Sequence, residues 1–411
     1  MAKINLNSVS DTIFAVKANE VSDGTNQRAD IVAKGRMLAY AHAQKGKNAM
    51  DKALGIMTNN SVMLNDTDYR KLNEQFQHDH LMYAAKKCAE YNGSAAPATW
   101  EDFRRNGMNY YGNAHFYAVL QGIYQEIVTP ILPAVYSEAV SRFADVVEVG
   151  FGETYALAVN SNDIILFQDS SWGASRSVPR NRLYTATYTL NPQPKTAMVT
   201  AKWTQLVGTG MDFGMFFANI VAGMYSKTMA MWSAAMTTAA ANTNLIPSAL
   251  NYTFSAQNWA IGSNKIAALN DTATGNLIAV GNRVALSKVL PTQATGSVNA
   301  DMDAALAMLL GRDYNDTGYL GNYLGVRLMP VNDAVVPGTQ NTTVDTILSN
   351  NDIWMMAANG RKPLTIAYNS ATPITIEIDP TKSADFEIGL NLTIALDSAA
   401  VFASKIAHFT V

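Results

Sequence analysis

The chain has 411 residues, of which 48% are hydrophobic and only 15% charged, with a formal net charge of −3. A charge content so far below the roughly 25% of an average soluble chain predicts a surface largely covered by partners, and the near-neutral balance excludes bulk nucleic-acid binding. The single cysteine, Cys88, excludes an intramolecular disulfide and suits a reducing compartment, and the N-terminal residues hold no apolar run of signal-peptide length, so a soluble cytoplasmic protein is expected.

The first 145 residues read as helical. Asp30 to Gln44 places Ile31, Leu38 and Ala41 at helical spacing. Asp66 to Tyr91 is a long charged helix with Tyr69, Leu72, Phe76 and Tyr83 on one stripe. The small-residue break at 92–98 precedes Thr99 and Asp102, a capping-box variant that opens another helix. Tyr110 to Val140 is aromatic and apolar, with Pro130 and Pro133 bending or breaking it.

The period changes at Val146. Val146–Val149, Thr154–Val159 and Ile164–Phe167 read as short strands, and Leu183–Leu190 and Ala197–Trp203 alternate with period two around an Asn191-Pro-Gln-Pro turn. The strands at Ile164 and Leu183 flank a basic loop, Trp172-Gly-Ala-Ser-Arg176-Ser-Val-Pro-Arg180-Asn-Arg182, which predicts an extended β-arm with that loop at its tip. Met211 to Ala241 is one helix, ~45 Å long at a rise of ~1.5 Å per residue. It carries Phe213, Phe217, Ile220, Met224, Met231 and Ala235 along one side and a line of small residues, Gly214, Ala218, Ala222 and Ser226, along another. Asp212 sits where the helix dipole favours an anion. Lys227 and several polar residues interrupt 213–242 as a membrane span. From Asn276 the pattern is α/β: strand Leu277–Val280, helices Arg283–Leu290 and Ala300–Leu310, and strands at Gly325–Met329, Ile353–Met356 and Leu364–Tyr368. The end is all strand, at Ile374–Ile378, Phe386–Ala395 and Val401–Val411.

Charge is segregated along the chain. Residues 170–270 hold seven Lys/Arg and one acid, Asp212, whereas 271–411 hold thirteen acids and eight Lys/Arg. Such a split favours a partner of opposite charge, and the simplest partner is another copy.

Motifs for chemistry fall short. Gly208-Thr-Gly210-Met-Asp-Phe-Gly214 has the wrong spacing for a dinucleotide loop, and no acid occurs from 213 to 270. Asp313-Tyr-Asn315-Asp-Thr317-Gly318 imitates a calcium loop, but Leu324 stands where the bidentate Glu belongs, so an Asx-rich turn is the reading. His78 and His80 are two apart on a helix and cannot chelate together, and Glu74 with His78 reads as a surface pair. His42, His115 and His408 stand isolated. The methionines of the long helix (Met211, Met215, Met224, Met229, Met231, Met236) read as adaptable packing. No catalytic residue, metal site or cofactor is predicted.

The order of elements resembles that of tailed-phage major capsid proteins of the Hong-Kong-97-like fold, over roughly 145–411. The segments that carry the likeness are Ser171–Arg176 with Tyr184–Leu190, Asn276–Asn282, Gly318–Pro330 and Phe386–Phe402. The resemblance implies an α+β fold with five parts: a helical N-terminal region (1–145), an extended β-hairpin loop (146–205), a peripheral domain with its spine helix (206–275), an α/β axial domain (276–370) and returning strands (371–411). It implies a subunit that assembles with itself, as hexamers and pentamers, into the icosahedral head shell around a double-stranded DNA genome. The shell would be built in the host cytoplasm and found in the virion. Scaffold, portal and decoration proteins are further candidate partners, DNA is met only through non-specific inner-surface contact, and no membrane is involved. Some members of the fold crosslink a Lys of the arm to an Asn; here only Lys195 and Asn391 are offered, so non-covalent assembly is expected. The interface is expected to use Trp172, Arg176, Arg180 and Arg182 on the arm against Glu377, Asp379, Asp385 and Glu387. The three Arg have two other readings, as a solvated loop and as a nucleic-acid contact. Alternatives for the whole chain are an encapsulin-like compartment shell, which the long N-terminal region disfavours, a soluble α+β enzyme, and a carbohydrate-binding surface protein.

Overall fold

The computed structural model describes residues 27–53, 66–129, 144–150, 152–160, 185–208, 210–243, 246–290, 317–339, 342–358, 362, 364–369, 374–378, 386–400 and 406–411. The expected strand at Ile164, the helix at Ala300–Leu310, Pro130 and Pro133, and most of the calcium-loop look-alike lie outside them. The chain divides into two compact units, one of 1–139, 192–228 and 368–396, the other of 140–191, 229–367 and 397–411.

Unit one is built on helices α1 (Gln27–Ala53), α2 (Asp66–Asn92), α3 (Trp100–Arg105) and α4 (Ala114–Val128). The Thr99–Asp102 capping box opens α3, with both reciprocal bonds made. Asn113 caps α4 by accepting from the amides of His115 and Phe116. Helices α1, α2 and α4 pack on one another. Ile31 and Leu38 are buried as expected, but the α2 stripe is wider than its apolar residues: Gln77 and His80 are buried with Tyr69, Phe76, Leu81, Ala84 and Ala85. Leu72 and Tyr83 are only partly covered. The aromatic core includes Phe76, whose ring centroid lies 5.2 Å from that of Phe213 and 6.0 Å from that of Phe217. The same unit holds strands β4 (Gln193–Lys202) and β11 (Ile374–Ile378) and all but the last four residues of β12 (Glu387–Ala400). The β12 strand runs antiparallel to both, and α4 packs against β11.

A short helix α5 (Trp203–Val207) follows β4 and leads to α6 (Phe213–Ala241), the single long helix expected from sequence. Its buried stripe is Phe213, Phe216, Phe217, Val221, Met224, Tyr225, Thr228, Met229, Trp232, Met236 and Ala239, whereas Ile220, Met231 and Ala235 are only partly buried and Met215 is exposed. At 3.6 residues per turn a straight stripe drifts, so the buried line passes to the Trp232 side of the helix. Of the small-residue line, Gly214 does what was expected: a Cβ there would stand 2.8 Å from the Leu38 carbonyl oxygen.

Three side chains of α2, one turn apart, hold the segment that feeds α6. Gln77 donates to the carbonyls of Leu206 (2.8 Å) and Gly208. Asn73 donates to the Met211 carbonyl (2.9 Å) and accepts from the Phe213 amide (3.0 Å). Tyr69 donates to the Asp212 carboxylate, which also accepts from the Met215 amide at 3.0 Å as an N-cap. The i, i+4, i+8 spacing puts all three on one face, so α2 supplies the partners that the first turn of α6 lacks.

Unit two carries a six-stranded sheet in the order β5 (Asn251–Thr253), β13 (Ala407–Thr410), β9 (Asp352–Ala357), β6 (Leu277–Gly281), β8 (Val326–Pro330) and β7 (Asn322–Tyr323). Its β13–β5 and β6–β8 pairs are parallel and the others antiparallel. All five residues of β6 are buried, as befits a strand covered on both faces. The Leu324-Gly325 turn between β7 and β8 has positive φ at both residues, the requirement of a tight primed hairpin turn. Helix α7 (Ala256–Leu269), not anticipated from sequence, packs on β9; its Trp259 is fully buried and donates to the Tyr323 carbonyl. Helix α8 (Arg283–Ser287) is shorter than expected. The unit also contains β1 (Ala144–Val149), β2 (Tyr155–Asn160), β3 (Thr185–Leu190) and most of β10 (Leu364–Asn369), the strand expected at Leu364–Tyr368.

Candidate assembly surfaces

The β2 and β3 strands form an antiparallel hairpin in register from Tyr155 opposite Leu190 to Asn160 opposite Thr185. The Thr-Ala-Thr-Tyr-Thr alternation of β3 gives a strand of β-branched and aromatic residues. At its base Leu190 is buried with Val149 and Ala367, and Val147 and Tyr155 pack on that cluster. Farther out Ala156, Thr187 and Thr189 are exposed. The partner of β3 is thus the Thr154–Val159 strand. Residues 161–184, which connect the two strands in sequence and include Trp172, Arg176, Arg180 and Arg182, lie outside the described residues.

Of the four acids expected to receive that loop, Asp379 and Asp385 also lie outside the described residues. Glu377 stands in β11 opposite Gly389, and Glu387 opens β12 opposite Lys202 of β4. The sheet therefore brings Glu377 and Glu387 to neighbouring strands, and Glu387 has a lysine of its own chain across the ladder.

The β4 strand was legible as a period-two segment, but its setting was not. Among the described residues its one ladder partner is β12, from Lys202 opposite Glu387 to Gln193 opposite Leu396. Eight of its ten residues are exposed, and only Lys195 and Ala201 are partly covered. Met198 is 51% and Val199 39% exposed. The register places Val199, Ala197 and Ala201 opposite the buried Leu390, Leu392 and Ile388, so the apolar face of β12 continues onto β4 and is left open there.

The polar groups inside the units are structural in geometry. His80 is fully buried; one ring nitrogen meets the Phe76 carbonyl at 2.6 Å and the other the Tyr124 hydroxyl at 3.2 Å. Burial pulls its pKa down to about 4 and pushes the Tyr124 phenol up. His408 has both nitrogens within hydrogen-bond distance of side-chain oxygens, of Asp352 (2.8 Å) and of Asn251 (3.2 Å). The His408 hydrogen bond holds the Asp352 carboxyl below its ordinary range. His42 lies 3.4 Å from the Tyr69 hydroxyl, beside Asp212, and the ring of His78 lies 4.2 Å from that of Trp100. Cys88 is a buried free thiol raised by that burial. Among the described residues no group of three or more His, Cys, Asp or Glu is placed to hold a metal, and no helix is long and apolar enough to cross a membrane.

No family model and no curated protein matches this sequence. The chain is similar to solved capsid structures at low identity. Against the asymmetric unit of the bacteriophage PhiM1 mature capsid the identity is 12%, covering 66% of this chain and 85% of that one, with a TM-score of 0.40. Against the capsid of the native GTA particle it is 14%, covering 66% and 89%, with a TM-score of 0.40. Against the capsid of Cyanophage P-SCSP1u it is 8%, covering 65% and 85%, with a TM-score of 0.39.

Proposed function

We propose that this chain is the major subunit of a capsid shell, the head of a tailed phage that encloses a double-stranded DNA genome. The observation that carries the reading is the order of elements. A β2–β3 hairpin with a basic connecting loop precedes a 29-residue helix, an α/β unit with a six-stranded sheet, and a 14-residue strand that returns to pair with β4. Among its described side chains the hairpin has no buried residue beyond its base, which suits an arm that finds its packing on another molecule. In this reading the arm's Arg176, Arg180 and Arg182 dock on an acidic surface of the adjacent copy, with Glu377, Asp379, Asp385 and Glu387 as the densest acids available. The shell forms in the host cytoplasm and assembles without covalent linkage.

Negative-stain microscopy and light scattering of the purified chain test this. Rings or closed shells are expected; a monomer of 44.4 kDa at high concentration and moderate salt overturns the reading. DNA protected from nuclease inside particles recovered from infected cells tests the enclosure of a genome. Replacing Arg176, Arg180 and Arg182 together with Glu is expected to leave a folded monomer and abolish shells, and normal assembly of that variant refutes the charge docking.

A further inference from the structure

We propose that β4 is a self-complementary edge through which two copies of this chain join, strand against antiparallel strand, about a two-fold axis at Met198. This deepens the reading of the chain as a self-assembling subunit, and rests on it, by naming the strand that makes one of the contacts. The first observation is a ten-residue strand with β12 along one edge and, among the described residues, no strand along the other. Such an edge presents a row of backbone donors and acceptors that templates another strand. Native edges are blunted by charge, proline or a bulge. The middle of β4, Thr196-Ala-Met-Val-Thr-Ala201, has no charged residue and no proline, and its pairing with β12 runs without interruption. The second observation is the open apolar face of Ala197 and Val199, with Val199 39% exposed, and the exposed Met198 (51%) on the opposite face of the strand.

The occupant is argued from register. Setting Met198 opposite Met198 of a second copy keeps every residue on the face of the sheet it already occupies. Ala197 then meets Val199, which extends the apolar face of Ile388, Leu390 and Leu392 across the junction. Thr196 meets Thr200, a favoured cross-strand pair. Lys195 meets Ala201 and Lys202 meets Pro194, so each lysine stands across from an uncharged residue. Lys195 and its copy lie six register positions apart, roughly 20 Å, and Lys202 of the copy, one position from Lys195, lies on the opposite face of the sheet, so the lysines are kept apart at moderate salt. Pro194, which has no amide to donate, falls at the end of the ladder, where its loss costs least. The uncharged centre thus meets an uncharged centre.

The test is disulfide trapping in the full chain with Cys88→Ala as background. Directly opposed residues of antiparallel strands have Cα atoms about 4.5–5.5 Å apart, within disulfide reach. Met198→Cys is therefore expected to give a linked dimer on a non-reducing gel after mild oxidation with diamide. Thr200→Cys places two cysteines four positions apart, ~13 Å, and is expected to stay unlinked. A link at Thr200→Cys in place of Met198→Cys overturns the two-fold at Met198, and particles that form with no link at either position overturn the edge pairing; both leave the shell reading standing. A linked dimer that never proceeds to rings or shells supports the pairing and overturns the shell. A chain monomeric at every concentration overturns both. Hydrogen exchange of the unaltered protein is a check that needs no variant: amides of 193–202 gain protection from dilute to concentrated solution if the edge pairs, and stay unchanged if it does not.

Discussion

Replacing Asn73 with Ala tests whether α2 holds the start of the long helix. The amide oxygen of Asn73 accepts from the Phe213 N–H and its NH₂ donates to the Met211 carbonyl. Phe213 is fully buried, so its amide has no ready access to water once the acceptor is gone. Loss of a neutral hydrogen bond costs about 1 kcal/mol, and a buried donor left unsatisfied costs about 1–3 kcal/mol. The two bonds together set the expected loss at about 2–4 kcal/mol, read as a lower urea midpoint at unchanged slope for the unassembled chain. Asn73→Asp separates the contributions. It keeps an oxygen for the Phe213 amide and adds a negative charge at a helix N-terminus, which is stabilising by about 0.3–1 kcal/mol. It loses the donation to Met211 and sets a carboxylate oxygen against that carbonyl, so only part of the Ala deficit is recovered. Should Asn73→Ala cost less than about 0.5 kcal/mol, or Asn73→Asp fare no better than Ala, the clamp does not secure the helix.

Three further outcomes are expected. With His80 depressed to about 4 in the fold against about 6.5 in the unfolded chain, its neutral form is fully compatible with folding above pH 6.5. Stability falls as pH drops from there toward 4, by up to about 3 kcal/mol, and His80→Phe should flatten that slope in urea titrations between pH 7 and 4.5. Asp352 is depressed in the fold, so its contribution is present above the ordinary carboxylate range and lost as pH falls through its folded pKa. Asp352→Asn should cost about 1–2 kcal/mol at pH 7 and progressively less as pH falls through the carboxylate range, and a cost that does not change with pH would refute the hydrogen-bond account. Gly262 in α7 has room for no side chain, because a Cβ would stand 2.6 Å from the Phe409 ring and 3.2 Å from that of Tyr252. Despite better helix propensity, Gly262→Ala should destabilise by about 1–3 kcal/mol in thermal unfolding, whereas a stabilised variant would mean the rings move aside freely.

Local pattern made much of the fold legible. The capping box at Thr99, the boundaries of β11 and the single long helix all follow from signals within a few residues. Burial within those elements was harder to read, because it depends on partners distant in sequence. On α6 the most apolar candidates, Ile220 and Met231, lie beside the buried line, while Thr228 lies on it because its hydroxyl bonds the Met224 carbonyl. His80 and Gln77 lie outside the apolar stripe read from the sequence but are core, since each finds its hydrogen bonds inside. Helix α7 escaped notice for want of charged punctuation, although Ser255 as its cap and Trp259, Gly262, Ser263, Ile266 and Ala267 at helical spacing were there to be read. The arm's acids were chosen by charge density alone, a property of composition. That β4 is an edge strand follows only from which strands pair, and pairing across almost two hundred residues has no local signature.

Unit one is assembled from three stretches of chain, and that arrangement sets a timetable. On the ribosome β4 emerges about 185 residues before β12, its neighbour in the sheet. At translation rates of about 5–20 residues per second, that is a wait of roughly 10–40 s. Throughout it the uncharged middle of β4 has neither edge paired. A polypeptide truncated before Glu387 never leaves that condition, because it lacks the strand that turns β4 from a loose segment into a defined edge. Completion of the sheet and definition of the β4 edge therefore arrive together, when β12 is made.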